Sequence, residues 1–320
     1  MKISNFELSK SKFCKKLINN KSITTKIHYK KGNLGENINT LILILPWIIV
    51  LAIFWLYPLI YAGYLSLTEY QTLTGKSVFV GFQNYARIFS DEFFWIAAKN
   101  TLHFVVISVP ITLILSLLLA ELLNQKVAKF RGFFQASYFM PSVTSLVVIS
   151  LIFTNLYAKD GYLNSLLNMV GLPTSQMGFL LDPSTALNSI IAMDIWLSIG
   201  YYMMLFLSGM QTISQDLYDS AKINGANFWQ RFRYITLPGL RSTIFFVIML
   251  DLIKAFQVFI EIFVMTKGGP MYSTTSMVYL IFDNAFNHTD MMGYASAMAY
   301  VLFFVLLALS LIQIKLSEDK

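Results

Sequence analysis

Six long apolar stretches dominate this sequence and limit what it can fold into. A helix that crosses the hydrocarbon core of a bilayer needs about 20 mostly apolar residues, and each stretch reaches that length. Only 13% of the residues are charged, about half the share of a soluble domain, so one soluble core could not hide these stretches. The sequence therefore predicts an all-α membrane protein with six transmembrane helices, at about residues 41–66, 101–123, 133–156, 187–210, 242–265 and 295–315.

The distribution of positive charge predicts the orientation. Nine lysines lie within residues 1–40, and basic residues also exceed acidic ones in the second and fourth loops. Cytoplasmic segments carry such an excess, so both termini are predicted to be cytoplasmic. Residues 1–40 are then a basic tail beside anionic lipid, or simply a solvated disordered tail, and residues 316–320 are a short cytoplasmic tail. Because the net charge of +7 comes mainly from the first tail, it does not indicate nucleic acid as a partner.

Several chemistries have no residues to support them. Cys14 is the only cysteine, so the sequence predicts neither an intrachain disulfide nor a cysteine metal site. The three histidines form no catalytic or metal-binding pattern, and no phosphate-binding G-x-x-x-x-G-K-[ST] loop is present. We expect no catalytic residues, no metal site and no cofactor on this chain.

The loop of residues 212–241 is polar between two apolar stretches. Residues 216–224 and 227–234 read as two short helices, and Gly225 can supply the turn between them. Phe228 and Phe232 share one side of the second helix, and Pro238 marks the start of the fifth span. The segment is either a compact knob that fits a partner's groove or an ordinary interfacial amphipathic hairpin.

This loop resembles the EAA loop of permeases from bacterial binding-protein-dependent ABC importers. The family pattern is E-A-A-x-x-x-G followed by a distal hydrophobic-x-L-P. Here Asp219-Ser220-Ala221 replaces Glu-Ala-Ala, while Gly225 and Leu237-Pro238 match. Residues 80–85, 267–270 and 293–297 are similar to the sugar-importer branch, and the resemblance covers about residues 41–315.

The resemblance implies a permease domain over residues 41–315 that forms half of a translocation pore in the bacterial cytoplasmic (inner) membrane. Its implied partners are a second homologous permease subunit in a heterodimer, two ATPase subunits that bind ATP and Mg²⁺, and an extracytoplasmic sugar-binding protein. The residues that would couple to the ATPase are Leu217, Tyr218, Asp219, Ser220, Ala221, Gly225 and Ala226.

Ionisable residues lie inside two predicted spans. A charge at bilayer depth costs about 2.5–3.5 kcal/mol on insertion scales, so such residues usually face a cavity or a partner. Asp251 and Lys254 are three residues apart and can pair on one helix face, either along a pathway or at a subunit interface. Glu261 is predicted to reach the membrane interface in a structural role. His103 is expected to be a hydrogen-bonded packing residue.

The resemblance also places substrate contacts. It implies a pathway lined by Tyr138, Ser142, Asp194, Leu197, Ser198, Asp251, Lys254, Ala255 and Val258. The charged positions differ from the neutral residues of maltose-type permeases. Carboxylates accept hydrogen bonds from sugar hydroxyls, whereas a strongly anionic ligand would meet two carboxylates and one ammonium. We therefore expect a neutral mono- or oligosaccharide as cargo.

Two other functional classes compete with this interpretation. An ion-coupled secondary transporter could use Asp194, Asp251 and Lys254 as a proton or sodium relay. Against it stand the EAA-like loop and six spans without an evident inverted repeat. An integral membrane enzyme ranks last, because no catalytic constellation is present.

Overall fold

The computed structural model describes residues 34–71, 74–124 and 130–318. Most of the predicted basic tail, residues 1–33, lies outside these ranges, as do residues 319–320. The chain divides into two compact units at residues 59 and 60. The described part of the first unit consists of helix α1 (Leu34–Leu51), a π-helical turn (Ala52–Leu56) and the beginning of helix α2 (Tyr57–Ser66).

The second unit contains a short hairpin that the all-α prediction did not include. Strands β1 (Thr68–Gln71) and β2 (Lys76–Phe79) pair antiparallel, with Thr68 opposite Phe79. The other regular elements of the described residues are helices. The helices are α3 (Gln83–Ser90), α4 (Glu92–Asn124), α5 (Arg131–Phe139), α6 (Leu146–Leu156), α7 (Tyr162–Met169), α8 (Ala186–Met210), α9 (Gln215–Ile223), α10 (Phe228–Arg231), α11 (Leu237–Gly239), α12 (Arg241–Phe256), α13 (Ile260–Met265), α14 (Met277–Phe286) and α15 (Met292–Glu318).

Five of the predicted spans correspond to helices long and apolar enough to cross a membrane. The third predicted span, residues 133–156, is wrong as one continuous helix. There α5, followed by a 3₁₀ turn (Met140–Val143), meets α6 at an angle of 96°. Pro141 lacks an N–H and Thr144 is extended, so helical hydrogen bonding cannot run through this point. The described residues therefore hold five spans, or six if the bent pair counts as one.

Prolines also account for two π-helical turns. The first precedes Pro58, and the second (Phe232–Thr236) precedes Pro238 at the same spacing. A proline has no N–H and crowds the carbonyl four residues earlier. In each case the N–H of the residue before the proline bonds to the carbonyl five residues back, which widens the turn.

Helix α8 lies at the centre of the second unit and is the most buried of the long apolar helices. The second half of α8 packs with α4 through the hydrophobic residues Phe206 and Met203. The first half of α8 packs in another hydrophobic cluster, around Ile190 and Met193. Helix α5 approaches α8 at Gly200, where an added Cβ would overlap the carbonyl oxygen of Tyr138. Polar side chains on α8 are thus held deep inside the helical bundle.

Candidate substrate pathway and coupling loop

One face of α8 carries a row of buried polar side chains. Asp194, Ser198 and Tyr202 follow each other at four-residue spacing, so they lie one above the other on the helix. Each is less than 5% exposed. Buried polar groups at this depth need partners, and α12 supplies them.

Lys254 of α12 reaches across to this face. Its Nζ donates hydrogen bonds to Asp194 Oδ1 at 2.5 Å and to Ser198 Oγ at 2.6 Å. The predicted pairing of Lys254 with Asp251 on one helix face is therefore wrong: the ion pair runs between helices. The Asp251 and Lys254 side chains both point from α12 towards α8, and the long lysine side chain reaches the Asp194 carboxylate on that helix. The Asp194 side chain is 3% exposed, while that of Lys254 is 39% exposed.

Asp251 forms a second contact one turn away. It is 2% exposed and lies beside the Tyr202 side chain, which adds a second polar contact between α8 and α12. Its Oδ2 atom is buried and has no hydrogen-bond partner within the described part of the chain. A buried carboxylate oxygen in this state is an acceptor that a ligand hydroxyl can satisfy.

The fifth span is interrupted beside these residues. Helix α12 ends at Phe256 and α13 begins at Ile260. Non-helical backbone at membrane depth is tolerated where protein buries it or where it lines a cavity. The second condition holds, because a cleft of about 600 Å³ opens here and is lined in part by Lys254, Gln257, Val258 and Glu261.

Glu261 is buried, and the prediction that it reaches the membrane interface is wrong. Its exposure is 3%, and its carboxyl lies near the backbone N–H groups of Phe259 and Glu261, where α13 begins. The interruption before α13 is the reason, because it starts a new helix whose free N–H groups attract a carboxylate. The cleft and its surroundings thus hold three carboxylates and one ammonium.

The loop of residues 212–241 contains both predicted short helices, α9 and α10. Ser214 caps α9 by accepting a bond from the Asp216 N–H at 3.3 Å. Gly225 ends it with φ of 76°, a conformation that favours glycine. Asn227 and Gln230 form a reciprocal capping box at the start of α10, with bonds of 2.8 and 2.9 Å. The loop is therefore a locally specified pair of helices.

The loop also exposes large apolar side chains. Leu217, Ile223 and Trp229 are 55%, 87% and 65% exposed. They lie among polar side chains, including an exposed ion pair between Lys222 and Asp219 at 3.1 Å. Large apolar side chains exposed on one short segment are typical of a protein–protein contact.

Comparison with known proteins decides the family. Residues 27–317 match the family described as the binding-protein-dependent transport system inner membrane component. The chain belongs to this family. It is a multi-pass membrane permease, in agreement with the resemblance seen in the sequence.

Named relatives of the permease span nearly its whole length. It is 36% identical to the probable ABC transporter permease protein YurN of Bacillus subtilis, over 83% of this chain and 92% of that one. It is 32% identical to the lactose transport system permease protein LacF of Rhizobium radiobacter, over 89% and 95%. It is also 32% identical to the trehalose/maltose transport system permease protein MalF of Thermococcus litoralis, over 93% and 98%. These relatives are permease subunits of ABC transporters rather than enzymes.

A solved structure shares the fold of the permease. A chain of a bacterial alginate ABC transporter, crystallised with an alginate pentasaccharide-bound periplasmic protein, superposes with a TM-score of 0.78. The two chains are 25% identical, over 89% of this permease and 97% of the other chain. The bent third span and the interrupted fifth span thus belong to a chain with the overall fold of an ABC transporter permease.

The remaining predicted pathway residues of the permease lie in different surroundings. Leu197 and Ala255 are buried in a hydrophobic cluster, whereas Val258 lines the cleft. Tyr138 is 41% exposed, and the Ser142 hydroxyl donates locally to the Phe139 carbonyl at 2.7 Å. The structure therefore brings Asp194, Ser198, Asp251, Lys254 and Val258 to one region, whereas the Ser142 hydroxyl donates within its own helical turn.

Sequence analysis missed two residues of this region. Tyr202 lies beside Asp251, and its spacing of four residues from Ser198 was the available signal. Gln257 lines the cleft, but no local pattern predicted the interruption that exposes it. His103 is hydrogen-bonded as predicted, since its Nε2 lies 2.9 Å from Asn188 Oδ1 and links α4 to α8, but its side chain is exposed rather than packed.

Proposed function

We propose that this permease is one half of the pore of an ATP-driven carbohydrate importer, with the Asp194–Lys254 region as its substrate pathway. The observation that carries the proposal is the ion pair beside the interrupted fifth span and the cleft of about 600 Å³. Discontinuous helices with polar groups at the break are a recurring construction for transporter binding sites. Family membership favours this function over an ion-coupled secondary transporter.

The charge balance favours a neutral cargo. Asp194, Asp251 and Glu261 place three carboxylates near one ammonium, so an anionic ligand would be repelled more than attracted. Sugar hydroxyls can donate to the free Asp251 Oδ2 and accept from Lys254. Relatives named for lactose and for trehalose or maltose support a neutral sugar, whereas the alginate transporter is described as importing an acidic polysaccharide. We therefore favour a neutral mono- or oligosaccharide.

We also propose that residues 212–241 dock on an ATPase subunit and that both chain termini are cytoplasmic. The exposed Leu217, Ile223 and Trp229 would enter the ATPase surface, and Ala221 with Gly225 would allow close approach. The second permease subunit, two ATP-binding ATPases and an extracytoplasmic sugar-binding protein complete the assembly. The periplasmic protein in the alginate transporter structure supports the last of these partners.

The function is tested by uptake into proteoliposomes that contain the permease purified with its partner subunits. We expect accumulation of a neutral oligosaccharide to need ATP and to persist with a protonophore. Asp194→Asn and Asp251→Asn should each lower uptake at least about tenfold, because each removes a charged acceptor from the pathway. Uptake that ignores ATP and collapses with the protonophore would contradict the proposed function.

The control for these variants is Asp160→Asn, which makes the same change at an exposed loop position. It should transport like the wild type. Wild-type uptake in both pathway variants, for every sugar tried, would remove Asp194 and Asp251 from the pathway. Preferred uptake of an acidic oligosaccharide would instead contradict the choice of a neutral cargo.

The orientation is tested by cysteine labelling in a Cys14→Ser background. Tyr162 is 83% exposed after α6, and Ile223 is 87% exposed at the end of α9. A cysteine at position 162 should react with a membrane-impermeant maleimide added to spheroplasts, and a cysteine at position 223 should react only after permeabilisation. Labelling of position 223 from outside would place the loop on the wrong side for an ATPase.

A further inference from the structure

A second cleft, of about 630 Å³, opens between α3 and α14. Asp283 and Asn284 of α14 line it, whereas Val278 and Ile281 of the same helix line the cleft beside Lys254. These two pairs of residues lie on different faces of α14. The two clefts share no lining residue among the described residues, so the α3–α14 cleft is separate from the pathway.

The α3–α14 cleft lies at the opposite end of the bundle from residues 212–241. Helices α4 and α8 run parallel, because His103 contacts Asn188 near the start of α8. Leu123 near the end of α4 and Met210 at the end of α8 share one hydrophobic cluster. The cleft adjoins the start of α4, whereas the loop of residues 212–241 follows the end of α8. In the proposed orientation, the cleft therefore faces the extracytoplasmic side.

Two carboxylates in this cleft can accept hydrogen bonds from a ligand. The Tyr294 hydroxyl donates to Asp91 Oδ2 at 2.5 Å. The Asn287 side-chain amide donates to Asp283 Oδ1 at 2.8 Å, and His288 Nε2 lies 3.2 Å from Asp283 Oδ2. These contacts fix the orientation of both carboxylates. Because each carboxylate oxygen has two acceptor positions, both groups can accept further hydrogen bonds.

Arg87 brings hydrogen-bond donors to the same cleft. Its guanidinium carbon lies 4.6 Å from the centroid of the Tyr294 ring, and its Nη1 lies 3.5 Å from Met291 Sδ. It forms no ion pair within the described part of the chain. A guanidinium has five N–H donors and a thioether is a weak acceptor, so Arg87 can donate to a ligand in the cleft.

Two aromatic rings form an apolar wall next to these polar groups. Phe93 and Tyr272 line the cleft with their ring centroids 4.7 Å apart, and they are 44% and 52% exposed. A sugar ring carries hydroxyls around its edge and C–H groups on its faces, so it can use both kinds of surface. The volume of the cleft lies within the range of about 300–1,000 Å³ that is usual for ligand pockets.

We propose that the α3–α14 cleft is a second saccharide-binding site, which holds a mono- or disaccharide unit of the cargo before it enters the pathway. Arg87 donates to the sugar hydroxyls, Asp91 and Asp283 accept from them, and Phe93 and Tyr272 cover an apolar face of the sugar. Two carboxylates beside one guanidinium disfavour a strongly anionic ligand. The inference rests on the proposed carbohydrate cargo and on the proposed orientation.

The test is protection of a thiol inside the cleft by sugar. Ser90 lines the cleft and is exposed, so Ser90→Cys in the Cys14→Ser background adds a thiol with little change in volume. The complex with its partner subunits is used without ATP and without the binding protein, and lactose, trehalose and maltose are the probes. A sugar at about twice its Kd should slow the reaction with an impermeant maleimide about threefold. Tyr162→Cys, at an exposed position outside the cleft, should react at an unchanged rate.

Further variants identify the groups that hold the sugar. Arg87→Met and Asp283→Asn should each raise the half-protecting sugar concentration about three- to tenfold, because each weakens charge-assisted hydrogen bonds. Lys76→Met removes a charge from an exposed position of β2 that does not line the cleft, and it should leave this concentration unchanged. Asp194→Asn should also leave it unchanged while lowering uptake, because Asp194 belongs to the pathway.

Failure of all three sugars to protect position 90 would overturn the second site. ATP-driven uptake of one of these sugars in the same preparation would then leave the proposed function intact. Equal protection at position 162, or loss of protection in Asp194→Asn, would also reject the site. Protection only by an acidic oligosaccharide, or only by the binding protein, would contradict a neutral sugar as the ligand. Protection without ATP-driven uptake of any sugar would instead contradict the proposed function and leave the sugar site standing.

Discussion

Replacing Lys254 with methionine is expected to remove most of the folded permease from the membrane. The change leaves Asp194 charged, 3% exposed and without its ammonium partner. Removing one member of a buried ion pair costs about 3–5 kcal/mol, and the partial exposure of Lys254 to the cleft places this site near the lower end. An apparent melting temperature lower by about 5–10 °C, measured in detergent, is the expected result.

Two further variants show whether the loss comes from the unpaired carboxylate. Asp194→Leu combined with Lys254→Met removes both charges and should recover most of the stability but not the uptake. The control is Lys222→Met, which breaks the ion pair between Lys222 and Asp219. Because both of these side chains are about half exposed, the change should alter stability by less than about 1 kcal/mol. A Lys254→Met variant as stable as the wild type would show that the Asp194–Lys254 pair contributes nothing to the fold.

Replacing Gly200 with alanine is expected to be the most disruptive glycine-to-alanine change in the described part of the chain. The new Cβ would overlap the carbonyl oxygen of Tyr138 and lie 3.0 Å from the Cα of Phe139. Because these are backbone atoms, no side-chain rotation relieves the overlap, and α5 must move away from α8. We expect a loss of about 3 kcal/mol or more, at the upper end for overpacking.

The matched control is Gly132→Ala, in the first turn of α5 itself. An added Cβ there meets no atom within 4 Å, and alanine favours a helix by about 0.5–1 kcal/mol over glycine. Melting temperatures of the two variants should therefore shift in opposite directions. Equal stability of Gly200→Ala and the wild type would mean that α5 does not pack on α8 at this point.

These two variants test different parts of one arrangement. Gly200 allows α5 to reach α8, and the Asp194–Lys254 pair fixes α12 against the same helix. The polar face of α8 that lies between Gly200 and the Asp194–Lys254 pair is the part of the permease that we propose to bind the cargo. A defect in transport without a defect in stability is therefore expected from changes such as Asp194→Asn, which keep a hydrogen-bond acceptor in place.

The amino-acid sequence by itself determined the class of the protein and the position of most of its spans. A bilayer has a fixed thickness, and a backbone in hydrocarbon must satisfy its own hydrogen bonds, so each apolar stretch of sufficient length becomes a helix. Local signals also predicted α9, the turn at Gly225 and α10, because capping side chains and a left-handed glycine act over a few residues.

Only the tertiary structure decided the partners of the buried charges and the breaks in the spans. Lys254 had a carboxylate three residues away in Asp251, yet it pairs with Asp194, 60 residues away in the sequence. The rotation and packing of α8 and α12 bring that second carboxylate within reach, and no periodicity within one helix records it. The same reason applies to the interruption before α13. It depends on which helices lie alongside, and helix packing is fixed by the whole bundle rather than by neighbouring residues.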